Sequence, residues 1–305
     1  TSSLVGITYG NNIFMVVGDS GTILASPDGT TWTPITGVTD HLIGVTHGNN
    51  TFIAVGYGGK IFTAPDGTSG APTLWTERNS GTTVPLYGIV YGKSAFVVVG
   101  ESGTILTSSD GTTWTPKTSN MGNKQGQDIT YANDTFVAVA YSGTIVTSSD
   151  VTTSSATAST VSLSGIDNST SVSFQQMTAF GDDLYLSSSS GNNEIYQVNL
   201  AVGQNGVRTG TATQIDPTTT AASYYNTGTE VSLRYLGGLT TDGTVLFIAD
   251  GNNKLIRKIS VMPQETFIVT VSNASGNNRF AIDGVEIPTK TLVRGATYRF
   301  MQPDA

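Results

Sequence analysis

The chain has no cysteine and only two histidines in 305 residues, and both shortages exclude whole classes of functional site. Disulfide frameworks, thiolate zinc sites, iron–sulfur clusters and cysteine nucleophiles all need the thiol group. The two histidines, His41 and His47, are too few for a three-histidine metal site. The aspartate-rich turns at 182–183 and 250–253 could ligate calcium, but they lack the EF-hand spacing and are interpreted as plain turns, so we expect neither a metal ion nor another cofactor.

Charge is also scarce, since charged residues make up 12% of the sequence against roughly a quarter in an average soluble protein. Acidic residues outnumber basic ones by 22 to 14, the formal net charge is -8, and no lysine or arginine cluster offsets it. This charge repels phosphate backbones, so a nucleic-acid partner is not expected. No apolar run reaches the roughly 18 to 20 residues that cross a bilayer, so membrane insertion is not expected either.

The sequence does contain an internal repeat. Its clearest mark is a phenylalanine that recurs at intervals of 38, 44 and 40 residues, as Phe14, Phe52, Phe96 and Phe136. The same intervals separate an isoleucine column and an aspartate column: Ile23, Ile61, Ile105, Ile145 and Asp28, Asp66, Asp110, Asp150. Units of about 40 residues with several short strands are typical of propeller blades, because a lone four-stranded sheet cannot cover its own faces.

The first unit divides into four strand-like segments at 4–9, 13–17, 22–26 and 31–34, separated by turns rich in glycine, asparagine and aspartate. The second segment is continuously apolar, which is expected of a strand buried on both faces. No segment shows helical periodicity with caps. The sequence therefore predicts an all-β fold.

The pattern continues in a changed form after Asp150. Residues 152–171 are rich in serine and threonine and are interpreted as a blade edge plus a surface loop, and residues 201–229 as a long polar insertion. Residues 177–198 match 239–259, which brings the count to six units. We expect a six-bladed β-propeller over 1–262, with seven blades as the alternative, and blades near 1–41, 42–85, 86–127, 128–171, 172–229 and 230–262. Residues 263–305 are expected to be the start of a second β domain, truncated at Ala305.

Two seven-residue stretches resemble the Asp-box, the hairpin motif of sialidase-type and photosystem-assembly-factor-like propellers. They are residues 26–32, Ser-Pro-Asp-Gly-Thr-Thr-Trp, and residues 108–114, Ser-Ser-Asp-Gly-Thr-Thr-Trp. The resemblance implies that the aspartate caps a tight turn and that the tryptophan packs between blades. The residues given these structural roles are Asp28, Trp32, Asp66, Trp75, Asp110, Trp114 and Asp150, although an insertion precedes Trp75 and no tryptophan follows Asp150.

Two further resemblances concern the rest of the chain. Residues 239–259 resemble NHL-type propeller repeats, and residues 280–305 are similar to the opening of a cupredoxin-like β domain found on large extracellular and phage structural proteins. No residue here stands in for the metal ligands of that domain.

The candidate ligand-binding residues are the variable ones in the second turn of each unit. That turn and the blade-to-blade connection share one face of a propeller, so Asp19, Tyr57, Glu101 and Tyr141 are expected to ring the channel mouth. Tyrosine offers a stacking surface and carboxylates accept hydrogen bonds from sugar hydroxyls, which suits a glycan. Solvated turn residues are the competing interpretation. His41 and His47 are expected near the same face and the first strand.

The composition, the mixed repeats and the appended β domain resemble those of phage virion appendage proteins. That resemblance implies a non-enzymatic, tail-fibre-like scaffold, located on a virion or outside the cell, with virion or surface proteins and cell-surface glycans as partners. A bacterial adhesin propeller is one alternative, and a degenerate sialidase-like glycoside hydrolase is another. Gly18-Asp19-Ser20-Gly21 imitates a protease nucleophile segment, but the aligned turns show that it is one copy of a repeated β-turn, in which Gly58 replaces the serine of the second unit.

Overall fold

The computed structural model describes residues 3–67 and 70–151 without a break. Beyond them it describes residues 159–164, 172–180, 183–188, 194–202, 208–215, 236–241, 245–250, 255–260, 267–272, 279–282, 285–286 and 300–301. The described residues form β-strands and three single 3₁₀ turns, with no α-helix among them. The predicted all-β fold class is therefore confirmed.

The first four sheets are built alike, and we call each a blade. Blade 1 contains β1 (Leu4–Gly10), β2 (Ile13–Gly18), β3 (Ile23–Ser26) and β4 (Thr33–Ile35). Blade 2 contains β5 (Leu42–Gly48), β6 (Thr51–Gly56), β7 (Ile61–Pro65) and β8 (Thr76–Arg78). Blade 3 contains β9 (Leu86–Gly92), β10 (Ala95–Gly100), β11 (Ile105–Ser108) and β12 (Thr115–Lys117). Blade 4 contains β13 (Gly126–Ala132), β14 (Thr135–Ala140), β15 (Thr144–Ser148) and β16 (Ser159–Ser164).

The later sheets follow the same order along the chain. Blade 5 contains β17 (Phe174–Phe180), β18 (Asp183–Ser188), β19 (Ile195–Val202) and β20 (Arg208–Ile215). Blade 6 contains β21 (Leu236–Thr241), β22 (Val245–Asp250) and β23 (Leu255–Ser260). A last sheet contains β24 (Phe267–Ser272), β25 (Arg279–Ile282), β26 (Val285–Glu286) and β27 (Phe300–Met301). The domain boundary at residue 262 and the blade count remain predictions.

One part of the sequence interpretation is wrong. The segment assigned to a polar insertion, 201–229, contains the end of β19 and all of β20. Threonine at alternate positions favours a strand, although it is polar. The outer strands β16 and β20 pair in parallel and join blades 4 and 5 into one eight-stranded sheet.

Within each of the first four blades the strands form an antiparallel meander. The hairpin between the first two strands turns on two residues that both have positive φ, as at Asn11 (48°) and Asn12 (60°). Asparagine tolerates this left-handed conformation, and such turns match the twist of the flanking strands. The turn thereby fixes the register, in which Tyr9 pairs with Phe14.

The core lies between consecutive blades. Phe52 and Ala54 of β6 pack in one cluster with blade 1, whereas Ile53 and Val55 pack in another with blade 3. Alternate side chains of one strand thus cover two neighbours, which explains why the second strand is apolar at every position. The innermost strands β1, β5, β9, β13, β17 and β21 contact one another in that order.

The aspartates of blades 1 and 3 cap their hairpins in the same way. Thr30 and Thr31 donate backbone N–H groups to Asp28 Oδ1 at 2.8 and 2.7 Å. Thr112 and Thr113 donate to Asp110 Oδ1 at 2.8 and 2.9 Å. These backbone hydrogen bonds hold the pKa of both carboxyls well below the usual range, because they stabilise the ionised form.

Blade 2 departs from this arrangement. The Asp66 carboxylate lies 2.9 and 3.1 Å from His47 Nε2, so it connects its hairpin to the first strand of the blade. Blade 4 differs again, since Ser148 Oγ donates to the backbone oxygen of Asp150 at 2.6 Å. Of the three tryptophans, Trp75 and Trp114 are buried between blades, whereas Trp32 is only half-buried.

Candidate functional site

The same backbone interaction positions the variable turn residue in each of the first four blades. The N–H groups of Asp19, Tyr57, Glu101 and Tyr141 donate to the carbonyl oxygens of Ser3, His41, Pro85 and Gln125, at 2.9, 3.1, 2.9 and 3.2 Å. Each acceptor comes just before the first strand of its own blade. The four turns therefore lie at the same end of their blades.

A glycine in this turn lets it approach the blade-to-blade connection. In the first three blades it is Gly21, Gly59 or Gly103, each with φ of 71°. A Cβ atom there would overlap the carbonyl oxygen of Val38, Thr82 or Gly122 respectively. Only glycine combines this φ with this contact at no steric cost. The sequence keeps glycine where the backbone needs it and varies the residue that faces solvent.

The side chains of this end form a row that begins in blade 1. His41 Nδ1 lies 3.2 Å from Asp19 Oδ1, and this hydrogen bond is the main cause that lowers the pKa of Asp19. The His41 ring packs edge-on to Tyr57 at a centroid distance of 6.0 Å. Tyr57 in turn packs edge-on to Tyr87 at 6.4 Å. The row thus runs from blade 1 into blade 3.

Tyr87 is the centre of the second half of the row. Burial raises the pKa of Tyr87 to about 12, and the nearby Glu101 carboxylate raises it further, while a side-chain hydrogen bond with Gln125 acts in the opposite direction. Tyr57 and Tyr141 also lie close enough to affect this phenol. The phenol therefore stays protonated at neutral pH and keeps its hydroxyl as a hydrogen-bond donor. We call the seven residues the turn-face row: Asp19, His41, Tyr57, Tyr87, Glu101, Gln125 and Tyr141.

Four of these residues are predicted from the sequence as ligand candidates, and the other three are not. His41 and Gln125 are aligned residues that lie just before β5 and β13. Tyr87 is aligned with Val5, Ile43 and Gln127 in the first strand. The signal that could have found them is the one used for the turn, namely change of residue type at a fixed position of the repeat.

His47 does not belong to this row, contrary to the expectation that both histidines lie near one face. It is at the far end of β5, where its ring packs on Phe52 at 4.5 Å. The seven-residue strand separates it from His41 by roughly 20 Å, at about 3.3 Å per residue. Its role is to pack blade 2 against blade 1.

The row supplies both aromatic surface and polar groups. Half of the Tyr57 surface is exposed (51%), and Tyr141 is exposed at 37%. The carboxylates are acceptors, and the amide of Gln125 is both donor and acceptor. Among the described residues no group of three metal-ligating side chains occurs, and no helix there is long and apolar enough to cross a membrane.

A concave surface lies beside the outer strand of blade 1, away from the turn-face row. This groove of about 410 Å³ is lined by Ile13, Ile35, Pro27, Pro34 and Pro72, among others. Its Ser26 hydroxyl is engaged within the hairpin, as it donates to Asp28 Oδ1 and accepts from the N–H of Gly29. The turn-face row offers far more polar groups to a ligand, and we treat it as the candidate site.

Comparison with known proteins supports the architecture. No family model matches the chain, and no curated protein matches it either. Among solved structures, virginiamycin B lyase from Staphylococcus aureus has a TM-score of 0.59 at 14% identity, over 85% of this chain and 95% of that one. The β-propeller domain of Myceliophteria thermophila Cps50 (Swd1) has a TM-score of 0.58 at 9% identity, over 85% and 84%.

The fold is a β-propeller. YCF48 bound to D1 peptide is a third similar structure, with a TM-score of 0.53 at 17% identity, over 86% of this chain and 78% of that one. At such identities the likeness establishes the propeller alone. The activities and ligands of these proteins do not carry over, and the Asp-box, NHL and cupredoxin resemblances rest on the quoted residues only.

Proposed function

We propose that this propeller is a non-enzymatic binding module of a virion appendage, and that the turn-face row contacts a host-surface glycan. The observation that carries the proposal is the row itself. Two exposed tyrosines, a half-buried tyrosine and two carboxylates come from four blades, yet they lie along one end of the molecule.

This chemistry suits a carbohydrate. A sugar ring stacks its C–H face on an aromatic side chain, and its hydroxyls need acceptors and donors around the rim. Tyr57 and Tyr141 provide the aromatic faces. Asp19, Glu101 and Gln125 provide the polar groups, and the protonated Tyr87 hydroxyl adds a donor. A scaffold of packed sheets holds these groups rigidly, which limits the entropy that binding costs.

The test is a host-surface glycan array probed with the wild type and with the double variant Tyr57→Ala/Tyr141→Ala. We expect the wild type to bind a defined set of glycans and the double variant to lose that binding. The matched control is Leu74→Ala, which removes another exposed large side chain, at 74% exposure, outside the row. Binding that survives in the double variant eliminates the row as the site, and a wild type without any glycan ligand eliminates the glycan.

A bacterial adhesin would use the same surface and is the second candidate. The full gene separates the two, because an adhesin requires a secretion signal and a virion protein requires neighbouring tail genes. A peptide ligand is a further outcome, as YCF48 binds D1 peptide through the same fold. A photosystem assembly factor would need a basic patch, and the Asp-box blades contain few basic residues.

A sialidase-like hydrolase is the third candidate, and the arginines count against it. Such a site needs several converging arginines to hold a carboxylate. Of the seven arginines in the chain, only Arg78 belongs to the first four blades. Its Nε donates to Thr63 Oγ1 at 2.8 Å, which ties it to the outer strands of blade 2. Release of a reducing sugar from any bound glycan would reverse this assignment.

A further inference from the structure

One face of blade 1 is apolar and exposed. In β1 the side chains of Ile7 and Tyr9 lie on the face opposite Gly6 and Gly10, which contact blade 2, and they are 64% and 57% exposed. In the following blades, the residues aligned with Ile7 are Val45, Ile89 and Ile129, and they are only 6 to 8% exposed. The preceding blade covers each of those three. Blade 1 therefore presents the type of surface that the rest of the propeller buries.

The second strand and the residue just before the fourth strand show the same contrast. Phe14 is half-buried, whereas the aligned Phe52 and Phe96 have no exposed surface. Trp32 is half-buried too, while Trp114 is 9% exposed in the cluster between blades 2 and 3. The surface is thus one continuous face of blade 1 and not a single exposed residue. A contiguous apolar face of this kind marks an interaction site.

The aromatic residue of the first strand indicates which residue a partner must place against this face. In the formed interfaces the ring of His47 lies over Gly10, the ring of Tyr91 over Gly48, and the ring of Tyr131 over Gly92. A Cβ atom on any of these glycines would overlap the ring. The partner of an aromatic residue in this column is therefore a glycine at the end of the preceding innermost strand. Tyr9 belongs to this column, and no such glycine lies under it among the described residues.

Blade 6, the last of the consecutive blades, has a matching position that is not covered. Gly6, Gly44 and Gly88 each lie against the backbone of the following blade, where a Cβ atom would have no room. The register of β21 places Gly238 at the same position. Around Gly238 no described heavy atom lies within 4 Å of the Cβ position. Among the described residues, therefore, no neighbouring blade covers Gly238 of blade 6 or Tyr9 of blade 1.

We propose that the exposed face of blade 1 docks a further blade of the same repeat in the same polypeptide, and that this blade fills the gap between blades 6 and 1. Its innermost strand carries glycine at the positions of Gly6 and Gly10. The interface continues four interfaces already present, all with the same alternation of apolar side chains, and the first three of them have the glycine and aromatic columns. A second copy fits less well, since the face it can offer is that of its own blade 6, where Asp242 replaces the glycine that Tyr9 needs.

The test adds such a blade and measures how accessible Tyr9 is. A copy of residues 3–41 is fused ahead of Leu4, so that His41 of the copy takes the place of Ser3, as it precedes Leu42 in the natural chain. The copy carries Tyr9→Phe, so that labelling reports the original Tyr9. The control fusion has Gly6→Val and Gly10→Val in the copy as well. Hydroxyl-radical labelling of Tyr9 is compared with that of Tyr91, and thermal unfolding is measured.

We expect rapid labelling of Tyr9 in the unmodified chain and a drop to the rate of Tyr91 in the fusion, with a higher Tm. The control fusion should leave Tyr9 as reactive as before. Protection of Tyr9 in the unmodified chain contradicts the proposal. If Tyr9 is protected even at low protein concentration, blade 6 of the same chain closes the ring. If it is protected only at high concentration, a second copy of the chain covers the face. A fusion that keeps Tyr91 protected but leaves Tyr9 reactive also overturns it.

Discussion

Blades 1 and 3 have nearly the same sequence between their second and fourth strands, but they lie in different surroundings. Residues 18–34 and 100–116 differ only at three aligned positions: Asp19 and Glu101, Ala25 and Thr107, and Pro27 and Ser109. Their 3₁₀ turns have the same backbone conformation, and their aspartate caps make the same hydrogen bonds. Yet Phe14 and Trp32 are half-buried where Phe96 and Trp114 are buried.

Comparing the two blades distinguishes features that depend only on the hairpin from features that depend on the neighbouring blade. Caps and turns depend on atoms a few residues apart, so the same sequence gives the same geometry in both blades. Burial depends on the blade in front. Blade 3 has blade 2 before it, whereas the corresponding face of blade 1 is open.

The largest expected effect is on the phenylalanine column. Phe96→Ala removes a ring with no exposed surface, and large-to-small changes of this kind cost about 3 to 5 kcal/mol. Phe14→Ala should cost clearly less, because part of that ring is already in water. Chemical denaturation of both variants measures the difference. Equal losses would mean that the face of blade 1 is buried in solution.

The next effect concerns the position of the first strand that is Gly6 in blade 1 and Gly88 in blade 3. In blade 4 this position is Asp128. The Asp128 carboxylate accepts N–H groups from Met177 and Ile129, both at 2.8 Å, but burial raises its pKa to about 7. The folded chain therefore binds a proton that the unfolded chain, with a pKa near 3.8, has lost. This group lowers the free energy of unfolding as the pH rises from about 4 to about 7.

Asp128→Asn should remove that pH dependence, because an amide can still accept from Met177 and carries no charge. At pH 8 we expect the variant to be more stable than the wild type by on the order of 4 kcal/mol, and the two to converge near pH 4. Urea midpoints across this range provide the measurement. A wild type whose stability rises between pH 4 and 7, relative to the variant, contradicts the assignment.

A smaller and equal effect is expected from the two caps. Asp28→Ala and Asp110→Ala each leave two backbone N–H groups without their acceptor, so both should lower the Tm by a few degrees. The pKa of each carboxyl is lowered on folding, so its contribution is present above pH 4 and is lost as the pH falls further. The Tm deficit should shrink in acid. Unequal deficits at pH 7 would show that the surroundings, and not the hairpin alone, set the strength of the cap.

The smallest effect is expected at the turn itself. Glu101→Gln removes the negative charge that adds to the raised pKa of Tyr87, so that pKa should fall from about 12 while remaining above its ordinary value of 10, because burial is the main cause. Stability should stay within roughly 0.5 kcal/mol, as for surface substitutions in general. Ultraviolet titration of the phenol checks this result, with Tyr57→Phe/Tyr141→Phe as the background that removes the two nearest signals.

Much of the fold could be predicted because the repeat places the same residue types at the same steps. The apolar run of each second strand, the two-residue asparagine turns and the aspartates of the hairpins all act over short distances. The site was predicted in part for the same reason. Asp19, Tyr57, Glu101 and Tyr141 occupy one aligned position, whereas Tyr87 joins them through contacts between blades that no local pattern shows.

The errors have physical causes of the same kind. Residues 208–215 form a strand because β20 pairs with β19 and with β16 of another blade, and a polar threonine-rich segment reveals neither partner. Asp66 bonds to His47 because β5 brings the imidazole beside the hairpin, 19 positions earlier in the chain.

By itself the sequence determined the strands, their turns, the repeat and the aspartate caps, since each depends on backbone preferences and hydrogen bonds within one hairpin. Tertiary structure alone decided which faces are covered and how the turn-face row is assembled. It also decided that Asp128, which stands where blades 1 and 3 have glycine, is hard to ionise. Those outcomes depend on the blade that stands next to a residue, because burial and electrostatics act through space and not along the chain.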